Sequence, residues 1–178
     1  DGTSSVLLPP VLLLPGEYLI VCASADQEKL SIWGRTVGVS GFPSLNSRGD
    51  EIRLTDSFGG EVFSVMYSDS WYNDAEKKQG GWSLEMIDIT RPCGEQENWT
   101  ASMGETGGTP GQENSVKQSN PDNQPPVLQQ AFAISPSEVV LTFSERLNHI
   151  ASAAGQVSVT PAIAVDTIIW QADRKTLS

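Results

Sequence analysis

Few residues in this chain have the type and spacing to do chemistry. Glu85 and Asp88 offer two carboxylates close together, the residue types a glycoside hydrolase uses as acid and as base or nucleophile. Such a pair must face one cleft, and positions i and i+3 of a strand point to opposite faces. The single histidine, His149, has Ser144 near it in sequence, but no Gly-x-Ser-x-Gly elbow and no phosphate-binding glycine loop accompanies them. No catalytic residue is expected, and neither is an enzyme. One histidine and two cysteines also exclude His-rich or Cys-rich metal sites, so no cofactor is expected.

Oxygen-ligand calcium sites need a denser pattern than the sequence offers. Asp69, Asp74 and Glu76 share a loop, and Asp50 and Asp56 flank a strand, but no Asp-x-Asp-x-Asp run or EF-hand spacing occurs. Solvated loop carboxylates are the plainer reading. Arg48-Gly49-Asp50 spells an integrin-binding tripeptide, yet Gly-Asp before a strand is ordinary turn chemistry, and Arg48 is then incidental. Asn98-Trp99-Thr100 fits the N-glycosylation pattern, a three-residue match that carries little weight alone.

The aromatic residues are the one set suited to binding. Trp71, Tyr72 and Trp82 fall in or beside loops, where rigid rings flanked by acids and amides can stack on a sugar or a peptide. The plainer alternative is that they plug the end of a β-sandwich. Cys22, in the apolar stretch Tyr18–Cys22, and Cys93, after Pro92 in a polar turn, either form one disulfide in an oxidising compartment or remain an inert buried thiol and an exposed one. The sequence leaves both open, because it does not give their separation.

The elements that position these residues read as β. Pro15-Gly16 marks a type II turn, and Tyr18–Ala23 is continuous enough for a strand buried on both faces. Ser24 and Gln27 fit a capping box, which predicts a short helix over 25–33, burying Leu30 and Trp33 and stopped by Gly34. Glu51–Thr55, with Ile52 and Leu54 on one face, and Glu61–Tyr67 read as a hairpin around the Asp56–Gly60 turn. Ser83–Ile89 reads as a strand with Leu84 and Met86 on one face and Glu85 and Ile87 on the other. Beyond residue 90 the chain turns polar, and 112–124 holds one large aliphatic residue, Val116. That composition does not fold alone, so it is a linker or an ordered strap.

After Pro125-Pro126 short strands return, at 127–128, 138–143, 156–160 and 165–170, with Val139, Leu141 and Phe143 on one face. This is the rhythm of an Ig-like sandwich. The expected layout is a first domain over 1–116, a linker over 117–124, and over 125–178 the N-terminal part of a second domain.

The 178 residues carry a net charge of −11. Phosphate recognition needs a basic face, so a nucleic-acid partner is not expected. No apolar run approaches the roughly 18 residues of a membrane span, so membrane insertion is not expected either.

Taken in order, several segments resemble the lamin tail domain of bacterial, Bacteroidetes-type exported proteins. They are 14–21 (Leu-Pro-Gly-Glu-Tyr-Leu-Ile-Val), 44–56 with its Gly49-Asp50, Gly59-Gly60, 65–67, Trp71-Tyr72, Gly81-Trp82-Ser83-Leu84-Glu85, Asn98–Ser102 and Gly107-Gly108-Thr109-Pro110-Gly111. The likeness covers roughly residues 10–115, and the family's opening strands have no counterpart, so the chain is expected to enter the domain after them. Residues 125–178 resemble, less specifically, bacterial Ig-like domains of adhesin-type proteins. The resemblance implies an all-β fold: an Ig-like β-sandwich, then a partial second one. It implies an extracellular, cell-surface or periplasmic location and a non-catalytic structural or interaction role in a larger protein, whose partners are the parent chain's other domains and a glycan or protein. A carbohydrate- or peptide-binding module using Trp71, Tyr72 and Trp82 is the alternative.

Overall fold

The chain enters its first strand through a turn at Pro15-Gly16, where Gly16 has φ +83° and the Glu17 N–H donates to the Leu14 carbonyl at 3.0 Å. Glycine alone takes that φ without strain, which is why it follows the proline of a type II turn. The computed structural model describes residues 4–147, 158–160, 164–171 and 174–178. The chain divides into two units, Asp1–Pro121 and Asp122–Ser178. Both are built mainly of strands, with helix confined to single turns. The described sheets are small: three two-stranded pairs and one three-stranded sheet.

In the first unit, β1 (Ile20–Ala23) runs parallel to β2 (Thr36–Val39), with Cys22 opposite Gly38. Between them lie a 3-10 turn at Ser24–Asp26, one α-turn, α1 (Gln27–Leu30), and a 3-10 turn at Ser31–Trp33. Helical turns occupy the expected stretch, but two details differ. Neither Ser24 nor Asp26 caps with its side chain; Gln27 instead reaches across to the Thr36 carbonyl. Trp33 is exposed rather than buried, because three short turns do not align one continuous stripe against β2. Likewise β1 is buried at Cys22 alone and half-buried elsewhere, since its one described partner is a four-residue strand.

The hairpin forms as its alternation predicts. β3 (Gly49–Thr55) pairs antiparallel with β4 (Glu61–Ser68), setting Ile52 opposite Val65 and Leu54 opposite Phe63. Asp56 shapes the turn: its Oδ1 accepts from the Phe58 and Gly60 N–H groups at 2.8 and 2.7 Å. A 3-10 turn at Asp69–Tyr72 follows. β5 (Leu84–Met86) pairs with β6 (Trp99–Ala101), placing Met86 opposite Trp99. β5 is shorter than the strand expected over 83–89. Ile87 N–H still bonds the Asn98 carbonyl, and Asp88 N–H bonds the Asn98 side chain at 2.9 Å, so side-chain bonds take over where the ladder stops.

The polar segment 112–120 belongs to the first unit as an ordered strap. Val116 is buried, and Gln118 N–H donates to the Ile87 carbonyl at 3.1 Å.

In the second unit, β7 (Leu128–Ser135) pairs with β8 (Glu138–Phe143), and β8 pairs with β9 (Thr176–Leu177). β7 runs well beyond the two apolar residues expected of it. Residues 165–169 form no strand; Trp170 makes a single bridge to Leu177. Of the strand expected at 156–160, Gln156 and Val157 lie outside the described residues, as does His149.

Candidate functional site: an aromatic cleft and a buried polar clasp

Trp71, Tyr72 and Trp82 do not form one exposed platform. Trp71, in the 3-10 turn after β4, is 7% exposed and packs on Trp99 with ring centroids 6.2 Å apart. Trp82 is half-buried, with Lys77 Nζ 4.2 Å above its ring. The same ammonium donates to the Ser102 carbonyl at 2.7 Å, so Lys77 pins the Trp82 loop to the end of β6. Tyr72 donates its hydroxyl to the Trp82 carbonyl at 2.8 Å. Of the three, Tyr72 alone lines the cleft described below.

That cleft has a volume of about 940 Å³, in the upper part of the roughly 300–1,000 Å³ range of ligand pockets. One wall is the β3–β4 face carrying Ile52, Val65 and Tyr67; facing residues include Tyr72, Leu84 and Trp99. Arg48, Asp69 and Lys78 add charge to its lining. Lys78 Nζ lies 3.9 Å from Asp69 Oδ2. Both tyrosine hydroxyls are committed donors, Tyr67 to the Asn46 carbonyl at 2.7 Å and Tyr72 as above. Burial first, and then the neighbouring Asp50 charge, raises the Tyr67 pKa; burial raises that of Tyr72. Neither phenol is therefore poised as a base near neutral pH. Trp99 Nε1 is buried and has no acceptor among the described residues. Arg48 read as incidental in the sequence, and the hairpin register that brings it to one cleft with Trp99 is not visible in local spacing.

Beside the cleft the carboxylate Glu85 is 4% exposed and fully engaged. Its Oε1 accepts from Thr109 Oγ1 at 2.7 Å, and its Oε2 from the Ser115 N–H and Oγ, each at 2.7 Å. Burial pushes its pKa upward, but the hydrogen bonds from Thr109, Ser115 and Ser102 outweigh it, and the net shift is downward. Asp88 accepts from Thr90 and from the Asn120 N–H, the latter at 2.8 Å. The two carboxylates thus hold chain segments together rather than facing a shared reaction space.

Asn98 and Ser102 are fully buried. Asn98 Oδ1 accepts from Asp88 N–H at 2.9 Å and Asn120 Nδ2 at 3.1 Å, while its Nδ2 donates to the Asp88 and Arg91 carbonyls at 2.8 and 2.9 Å. Ser102 Oγ lies 3.1 Å from Ser115 Oγ. Ser83 ties the segments 83–85, 98–102 and 107–111 into one clasp: its N–H donates to the Gly107 carbonyl at 2.8 Å, and its carbonyl accepts from the Ser102 N–H at 2.9 Å. Gly107 closes it: at φ +87° it packs so tightly that a Cβ would lie 2.0 Å from the Gly81 carbonyl oxygen.

No disulfide joins Cys22 to Cys93; Cys22 is buried and Cys93 half-buried. The acidic loop residues do not converge either. Asp74 Oδ1 accepts from the Glu76 and Lys77 amides at 2.9 and 3.0 Å. Among the described residues no group of three His, Cys, Asp or Glu side chains is placed to hold a metal. Asp50 in the Arg-Gly-Asp tripeptide bonds to the amides of Asn46 and Glu51 at 3.1 and 2.9 Å, as a pre-strand turn requires. No helix among the described residues is long and apolar enough to cross a membrane. No family model, curated protein or solved structure matches the chain.

Proposed function

We propose that this chain is a non-catalytic structural and interaction module of a larger exported or cell-surface protein. In this reading its first unit is a lamin-tail-type Ig-like sandwich and its second part of a bacterial Ig-like domain. One observation supports the proposal: the polar motif residues of the first unit are spent on holding chain segments together. Glu85 is occupied by Thr109 and Ser115, and Asn98 by Asp88, Arg91 and Asn120. Groups saturated this way hold loops and are not available to a substrate. The test is an assay of the folded chain against polysaccharide, ester and peptide substrates, with surface labelling of intact source cells. Absence of turnover together with surface labelling is expected. Turnover that survives further purification overturns the non-catalytic reading, and labelling only after lysis overturns the exported one.

A second reading, a carbohydrate- or peptide-binding module, is favoured by the cleft, where Tyr72 meets Tyr67 and Trp99. It differs from the loop-aromatic version in its residues, since Trp71 is buried.

A further inference from the structure

We propose that the cleft binds an acidic saccharide, with a uronate carboxylate held by Arg48 and the sugar ring against Tyr67, Tyr72 and Trp99. This rests on the binding-module reading above and names its ligand class.

The charge is the first argument. The chain as a whole carries −11, yet the cleft presents Arg48 and Lys78 against the single carboxylate Asp69. Lys78 stands near Asp69, while Arg48 is exposed and its guanidinium has no ion-pair partner among the described residues. A guanidinium presents a planar fork that matches a carboxylate bidentately. The second argument is the lining: the rings of Tyr67, Tyr72 and Trp99 give a sugar ring apolar faces to lie against. The unspent group, Arg48, is a donor, so the ligand must bring an acceptor.

The geometry disfavours other occupants. A peptide added by strand pairing needs an open sheet edge, whereas the hairpin turns its face toward the cleft: Ile52 and Val65 are cross-strand partners and both line it. A phosphate would look for a glycine-rich nest or the N-terminus of a full helix; the described lining has one glycine, Gly80, and the 3-10 turn whose first residue lines the cleft begins with the acidic Asp69. A uronide fits an aromatic cavity with one available cation.

The experiment is an NMR titration of the whole ¹⁵N-labelled chain, following the Trp99 indole N–H resonance assigned by its loss in Trp99→Phe. Probes are tri-galacturonate, its neutral methyl ester, and a tripeptide with a free C-terminal carboxylate. Saturable movement of the Trp99 resonance with tri-galacturonate is expected, with about tenfold weaker binding of the ester and of Arg48→Gln. Arg48 is exposed, so a backbone spectrum unchanged away from the cleft verifies that Arg48→Gln folds. Equal binding of acid and ester, or no loss in Arg48→Gln, overturns the carboxylate assignment. Response to the ester or tripeptide alone overturns the acidic saccharide but leaves the binding-module reading standing. No response to any probe at about 10 mM, far above useful affinities, overturns both.

Discussion

Glu85 and Ser115, thirty residues apart, are joined twice: the Ser115 backbone N–H and its hydroxyl both donate at 2.7 Å to the same oxygen of the Glu85 carboxylate. A buried charge is tolerable when donors surround it, and here the donors come from a segment with almost no apolar residues of its own. The strap is ordered because a carboxylate on β5 needs it.

Glu85→Gln removes the charge and turns a donor toward other donors. It should cost about 2–3 kcal/mol, a fall in melting temperature of roughly 5–10 °C for a chain of this size. Because the folded-state pKa lies below the ordinary value of 4.5, this stabilisation is complete above that value and is lost as pH falls through the lowered one. The gap between parent and variant should therefore be full at pH 7 and narrow below about pH 4.5. Thermal melts from pH 3 to 7 measure it, and a gap independent of pH would contradict the assignment.

Asn98→Asp keeps the shape but replaces the amide that donates to the carbonyls of Asp88 and Arg91. A carboxylate facing two carbonyls without water should destabilise by about 3 kcal/mol or more. Urea unfolding would show a lower midpoint with an unchanged slope.

Gly107→Ala and Gly59→Ala share a positive φ, +87° and +83°, but differ in surroundings: the first meets the Gly81 carbonyl and the second meets nothing within 4 Å. Gly59→Ala should cost about 1 kcal/mol from backbone strain alone. Gly107→Ala should cost clearly more, because backbone must move. Equal losses in denaturant melts would refute the close approach.

Trp71→Ala should lose about 3–5 kcal/mol, as a buried aromatic does, and Trp82→Ala about 1–2 kcal/mol from its cation–π contact and partial burial. Any ligand response lost in Trp71→Ala then reports unfolding, so its circular dichroism melt must accompany the binding data.

With no bond joining the cysteines, a thiol titration under denaturant should count two. In the native chain Cys93 should react at least about tenfold faster than Cys22, which is buried. A count of zero would show a disulfide.

Elements whose own side chains alternate were legible in the sequence. β3 and β8 carry apolar residues at every second position and β4 a dense apolar run, and all three stand close to where the sequence places them. β7 was under-read because Gln129-Gln130-Ala131 interrupts its alternation, and β2 because Gly38 breaks a four-residue strand. The side-chain bond that follows β5 comes from one asparagine ten residues later, which no local pattern announces. Of the site, Tyr72 was visible as a loop aromatic. Arg48 and Trp99 join it through β3–β4 and β5–β6 register, and register is a property of pairs of strands rather than of either one.

The clasp also sets the order in which the first unit can be made. During synthesis Glu85 leaves the ribosome long before its partner Ser115, thirty residues behind, and Asp88 waits for Asn120 across thirty-two. At about 5–20 residues per second, that interval is roughly 2–6 s, in which both carboxylates remain hydrated and β5 has no strap. The unit is therefore locked from its C-terminal end, by the last polar residues to emerge.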